Sequence, residues 1–448
     1  MFKRKIEDRI VPVVTDFDNS VIAGDEPEYE EPNLDNVTWE KTLKYIPDGV
    51  QTLSKMPSKH VEGIYPKYID RADGAYVYAG EEEYIDYPCG LGSILLGYNY
   101  PSVNEAIVHQ LGKGIIYSLP AKLETILAEK ICQLIPCAEK VRFLKSGTEA
   151  TASAIRIARA STGKDGIVFC GYMGQHDNYV STTPKNKGVP TMLTSICAQV
   201  KYGDKEAMTD IFSMSGSIRK EIAAVIIEPY IYEEPGDYLK WLIEFVHNNN
   251  ALVIFDEVVT GFRTKGFSAQ KMLGVTPDLA TFGKAMGNGM PISFVCGKNQ
   301  YMSELQGDCF VSGTFGGELL SMAAALATIK VLEEEDVINH IWEMGQQLKD
   351  GYNKIANGYS RCIGYPCRTF FELNDAQKGL LWENCLTRGV LFGYAQFVNY
   401  SHKQEEIDLT LDALDESFKI LKQHWDNPIE AMKGKCPVKT VRQFSVKR

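Results

Sequence analysis

The chain has 448 residues, with 47 Lys and Arg against 58 Asp and Glu and a formal net charge of −11. That balance disfavours a general binder of nucleic acid or anionic membrane, because both recruit a basic surface. Hydrophobic residues at 44% and charged residues at 23% exclude bulk disorder, and the length excludes a mini-protein that needs disulfide or metal staples.

The first forty residues are acidic and irregular, as in Asp25-Glu26-Pro27-Glu28-Tyr29-Glu30-Glu31-Pro32, and predict an arm with little helix or strand. Residues 65–87 alternate Gly and Asp with short Tyr, Val and Ile runs, the pattern of short antiparallel strands. Residues 1–94 therefore read as an arm plus a small β-rich segment. From 95 to 330, strand-like apolar runs alternate with helical periodicity. Val225-Ile226-Ile227 and Ala251-Leu252-Val253-Ile254-Phe255 are continuous runs suited to strands buried on both faces. Between them Leu239, Leu242, Ile243 and Val246 form a helical stripe that stops at Asn248-Asn249-Asn250. Strand, helix, strand implies a right-handed crossover and a mainly parallel sheet. Residues 331–448 predict a smaller α+β domain, with strands at 368–373 and 389–392 and a helix over about 405–423. Glu333-Glu334-Glu335-Asp336 reads there as a solvated turn, and the basic end (Lys433, Lys435, Lys439, Arg442, Lys447, Arg448) as a mobile tail.

The eleven cysteines are scattered, with no C-x-x-C pair; this predicts reduced thiols, no metal site and a cytoplasmic setting. No stretch approaches the roughly 18 apolar residues of a membrane span.

Three features carry chemistry. Ser146-Gly147-Thr148-Glu149-Ala150 follows an apolar piece and opens a helical stretch, so its backbone N–H groups suit a phosphate, although the same residues also suit an ordinary helix cap. Asp256 ends a buried strand, where open α/β sheets place their ligands. Lys284, in Phe282-Gly283-Lys284-Ala285-Met286-Gly287, is a lysine among small and apolar residues, which suits a nucleophilic amine. Together they point to pyridoxal phosphate (PLP).

These motifs, with Phe255-Asp256-Glu257-Val258-Val259-Thr260-Gly261-Phe262-Arg263, Gly274-Val275-Thr276-Pro277-Asp278-Leu279 and Ser312-Gly313-Thr314-Phe315-Gly316-Gly317, resemble the class III aminotransferases of PLP fold type I, in the branch of glutamate-1-semialdehyde 2,1-aminomutase. The resemblance spans residues 46–422. It implies an α/β fold in which a large domain with a mainly parallel sheet flanked by helices joins a smaller α+β domain from the two ends of the chain. It implies that Lys284 forms the internal aldimine and shuttles a proton, and that Asp256 pairs with the pyridinium nitrogen. It places Ser146, Gly147 and Thr148 at the phosphate, and Val258 and Tyr172 on the two ring faces. Glu228 joins the cofactor set, and Thr314 reaches the phosphate from the partner subunit of a homodimer.

The substrate side departs from the aminomutases. Met173 stands where their His is usual, although His176 follows. The stretch from Gly49 ends in Lys55 rather than in an Arg able to grip a carboxylate with a planar fork. The stretch containing Gln396 is shorter and has Val398 in place of an acidic residue. Lys55, His176 and Gln396 are the substrate-binding candidates. The expected activity is ping-pong transamination from a donor such as glutamate to a small carbonyl or sugar-type acceptor. Its alternatives are a 2,1-aminomutase, and a racemase or epimerase.

Overall fold

The computed structural model describes residues 32–213, 221–230, 232 and 234–438. The acidic run at 25–31 and the basic residues from Lys439 onward lie outside the described residues. The chain divides into two compact units, 1–51 and 52–448. In the first, Thr38 caps a short helix, Trp39–Tyr45, by accepting the Lys41 N–H, so the arm gains a helix that the irregular sequence did not advertise.

The second unit is organised on three sheets. The largest comprises β4 (Lys140–Leu144), β5 (Gly166–Cys170), β6 (Cys197–Gln199), β7 (Ile222–Ile227), β8 (Leu252–Asp256), β9 (Leu279–Phe282) and β10 (Ser293–Gly297). Their order is β4-β10-β9-β8-β7-β5-β6. β9, β8, β7, β5 and β6 run parallel, and β10 is antiparallel to both neighbours. Every residue of β7 and β8 is buried, which explains their unbroken apolar runs. The helix Tyr238–Asn248 joins them and buries Leu239, Leu242 and Val246, the expected crossover. The helix Gly147–Thr162 starts at a Ser146–Glu149 capping box and stops at left-handed Gly163.

A second sheet has the order β1-β2-β3-β13, with β1 (Arg71–Asp73), β2 (Tyr76–Ala79), β3 (Glu82–Asp86) and β13 (Val390–Leu391). The strand expected at 389–392 pairs in parallel with β3, which joins the two ends of the chain; Leu391 shares a small apolar cluster with Val77 and Leu386. The third sheet is antiparallel: β11 (Cys362–Tyr365), β12 (Arg368–Phe371) and β14 (Gln396–Phe397). Helices Val337–Ala356, Asp375–Leu386 and Gln404–Gln423 surround it. The acidic run at 333–336 closes one helix with Glu333 and Glu334 and makes the turn to the next with Glu335 and Asp336. The tail is not loose up to Val438: Lys435 N–H donates to Glu62 O at 2.9 Å and Val438 N–H to Ser58 O at 2.7 Å. Backbone pairing across the chain ends holds it, which its charges did not reveal.

All eleven cysteines are free thiols. Among the described residues there is no cluster of His, Cys, Asp and Glu able to hold a metal ion, and no helix long and apolar enough to cross a membrane.

Candidate active site

The C-terminal ends of the neighbouring strands β7, β8 and β9 carry Glu228, Asp256 and Lys284, because each strand ends within two residues of its functional residue or at it. Asp256 is buried. Its Oδ1 accepts the Val258 N–H and the Thr281 hydroxyl, both at 3.0 Å, while no hydrogen bond among the described residues reaches Oδ2. Burial, and then the Glu228 carboxylate, push the Asp256 carboxyl up to about 7; the two hydrogen bonds and the Lys284 charge act the other way. A protonated ring nitrogen of a bound cofactor would supply the missing cation here. Lys284 opens a 3-10 turn directly after β9 with a left-handed φ of 46°, a conformation that is costly for a side-chain-bearing residue and concentrated at functional sites.

The phosphate end is assembled around the first turn of the Gly147–Thr162 helix. Ser146 spends its hydroxyl on the cap: it accepts the Glu149 N–H at 3.2 Å and donates to Glu149 Oε2 at 3.1 Å. The capping reading holds for the side chain, and the backbone is left compatible with a phosphate. The N–H groups of Gly147 and Thr148 take no partner among the described residues and remain for an anion. A Cβ on Gly147 would lie 2.8 Å from Val258 Cγ1, so only glycine lets Val258 approach the helix end. The Tyr172 loop is sewn to the same turn. Thr148 Oγ1 accepts the Gln175 N–H at 3.1 Å, and Thr151 donates to Met173 O at 2.9 Å. Tyr172 N–H donates to Glu228 Oε1 at 2.8 Å. Gly171 has φ 121°, and a Cβ there would meet Glu228 Oε1 at 2.8 Å.

Two unpartnered helix N–H donors, a buried carboxylate with an unused oxygen and a lysine on the next strand end fit the donor and acceptor set of PLP. The cavity of about 680 Å³ lined by Tyr230, Tyr232, Trp342, Arg361 and Tyr365 contains none of these residues; chemistry, not volume, locates the site.

The substrate candidates fare differently. Gln396 is enclosed; its amide N–H donates to Gly393 O at 2.8 Å and its Oε1 has no partner. Lys55 is exposed on the turn Leu53–Lys55, close enough to pull the Asp86 carboxyl down. His176 packs its ring on Phe169, 6.2 Å between centroids, beside the apolar cluster of the Gly147–Thr162 helix. Both ring nitrogens lack a hydrogen-bond partner among the described residues, and burial lowers the pKa to about 4, so a ligand would meet the ring as a neutral imidazole. Thr314 is exposed at the start of the turn Thr314–Gly317.

Several supporting residues escaped sequence reasoning. Cys89, Gly90 and Leu91 have successive φ values of 45°, 58° and 59°. This strained path is held by Asp86, whose Oδ2 accepts the Cys89 N–H at 2.8 Å, and by Arg263, which donates to Gly92 O and Ile94 O. Asn288, just after the Lys284 turn, accepts the N–H groups of Leu95 and Leu96 at 2.9 Å and donates to Gly97 O at 3.0 Å. The Gly-rich spelling of 88–93 was the available signal.

The family profile described as aminotransferase class-III matches residues 58–414. Glutamate-1-semialdehyde 2,1-aminomutase of Natronomonas pharaonis is 36% identical over 85% of this chain and 98% of its own. The same-named protein of Sulfurisphaera tokodaii is 35% identical over 84% and 97%. Among solved structures, the FumI protein of Sphingopyxis sp. MTA144 in its PLP internal aldimine form superposes with a TM-score of 0.80 at 25% identity, covering 89% of this chain and 97% of that one. An omega-transaminase from Sphaerobacter thermophilus does so with 0.76 at 25%, covering 85% and 96%. The chain belongs to the class-III aminotransferase family, with the PLP fold type I architecture.

Proposed function

We propose that the protein moves an amino group within a small carboxylate-bearing substrate, as a glutamate-1-semialdehyde-type 2,1-aminomutase. PLP is the cofactor of the family. The observation that carries the PLP-dependent reading is the alignment of Glu228, Asp256 and Lys284 on three adjacent strand ends beside unpartnered helix N–H groups. The names of the relatives support the mutase better than the two-substrate transamination expected from the sequence. Transamination remains the second reading, favoured by the likeness to an omega-transaminase and by Lys55 and Val398 at positions where mutases carry Arg and an acid.

The cofactor, when bound, supplies an electron sink for charge developing next to an amine. Asp256 holds the proton on the ring nitrogen, and Gly147 and Thr148 orient the phosphate with their N–H groups. Val258 and Tyr172 confine the ring, with Glu228 fixing the Tyr172 backbone. The Lys284 amine carries the proton at the substrate carbon that bears nitrogen. Residues 95–330 form the cofactor domain. The cytoplasmic assignment is supported by eleven free thiols. A homodimer, with Thr314 given across the interface, is supported by exposed Ile115, Ile116, Tyr117, Leu119 and Phe315, which the Leu319 N–H to Ile115 O bond draws together.

The test offers glutamate-1-semialdehyde alone to the holoenzyme. Formation of its positional isomer, 5-amino-4-oxopentanoate, without added amine is expected. No isomer, together with bleaching of the yellow chromophore by excess glutamate, would give the reaction to transamination.

A further inference from the structure

We propose that Arg368 is the carboxylate clamp on the substrate side of this site, a role that rests on the PLP-dependent reading above. Arg368 begins β12 and is only 8% exposed. Burying a guanidinium is costly unless its donors are used. Here they are not: Nε and Nη1 lack hydrogen-bond partners. The one carboxylate in reach, Glu228 Oε2, lies 3.5 Å from Nη1, an ion-pair separation without hydrogen-bond geometry. The other Glu228 oxygen already holds the Tyr172 N–H. The faces of Phe370 and Phe397 complete the surroundings, 5.1 and 5.9 Å from the guanidinium carbon. They position the fork but satisfy none of its N–H groups.

A second cation lies close by. Arg263 is close enough for its pKa to be lowered by Arg368, and its own hydrogen bonds go to backbone carbonyls. An incoming carboxylate therefore meets a rigid fork with donors to spare, beside Glu228, whose charge reaches Asp256. His176 is neutral and Lys55 is exposed on a turn, so neither offers an equivalent grip. Substrates carrying a carboxylate are selected over neutral ones because only they complete Arg368.

The experiment titrates PLP-loaded protein with glutarate and with its neutral analogue glutaramide by calorimetry. Wild type should prefer glutarate by about 10–100-fold, the range for a charged hydrogen-bonded contact. Arg368→Gln should abolish that preference while leaving glutaramide binding and the visible chromophore unchanged, and Arg368→Lys should restore only part of it. Equal binding of the two ligands by wild type, or a preference that survives in Arg368→Gln, overturns the clamp. Should Arg368→Gln fail to hold PLP, Arg368→Lys decides, and a wild-type preference there overturns it too. Failure of the mutase reading registers separately, as absent turnover in wild type with the glutarate preference intact.

Discussion

Glu228, Asp256 and Lys284 follow one another at equal steps (256 − 228 = 28 and 284 − 256 = 28) on strands that pair in parallel. The substrate side draws Leu91 and Arg368 together from positions 277 apart (368 − 91). Phe397 is the junction: it pairs with Arg368 across β12 and β14, and its ring would lie 2.8 Å from a Cβ on Gly92. Among the described residues the strand-end side leaves spare Asp256 Oδ2 and the Gly147 and Thr148 N–H groups, with left-handed backbone at Lys284. The Arg368 side holds left-handed backbone at Cys89 and Leu91 and unused donors and acceptors on Arg368 and Gln396. The PLP-dependent reading gives the first set to a resident group and the second to a ligand that comes and goes.

The comparison is broken most severely at Lys284. Lys284→Ala should abolish turnover and the borohydride-reducible chromophore while leaving the circular dichroism spectrum unchanged; retained activity removes the lysine from the mechanism. Next is Asp256→Asn, expected to slow turnover by about 100-fold or more, with PLP still bound. Its apoprotein gives a second reading of the same carboxylate. A carboxyl at about 7 in the folded chain against 3.8 as its ordinary value binds its proton more tightly when folded. The resulting penalty is absent below about pH 4, grows as pH rises and is complete above about 7. Apo Asp256→Asn should therefore be more stable than the wild-type apoprotein at pH 8, by at most on the order of 4 kcal/mol, with the gap narrowing toward pH 5. Urea denaturation at the two pH values measures it, and a gap independent of pH would show that Asp256 is not buried as a costly charge.

Legibility in the sequence follows the same division. The parallel sheet could be read because a strand buried on both faces must be apolar throughout, as in 251–255, and its crossover helix must carry a stripe, as in 239–246. Asp256 and Lys284 stood out as polar residues interrupting such runs. Arg368 did not, because an arginine at the start of a short strand is commonplace until β14 and Glu228 are seen beside it. β13 was legible as a strand but its partner β3 was not, since two residues carry no information about what they pair with.

Smaller effects sharpen the boundary between the two sides. Asn288 bridges them, with a left-handed φ of 42° and hydrogen bonds to the backbone at 95–97. Asn288→Ala leaves two N–H groups unpaired and strains the turn, and should cost about 2–4 kcal/mol of stability. Asn288→Gly relieves the strain but not the lost bonds, so it should recover only part of that loss. Full recovery in glycine would mean that backbone strain alone was at stake and that the bridge to the strained 89–92 segment is dispensable.

The smallest expected effect belongs to Lys55, the cation that sequence reasoning put where Arg368 now stands. Its exposure on a turn leaves its charge screened. Its visible influence is on Asp86, where it is the weakest of the groups opposing the burial that lifts that carboxyl to about 6. Lys55→Ala should therefore change KM for a carboxylate substrate by about threefold or less, with kcat unaltered. A tenfold rise in KM confined to carboxylate substrates would move the anion grip from β12 to the N-terminal turn. The substrate side would then be assembled, like the cofactor side, from a residue that its sequence motif had marked.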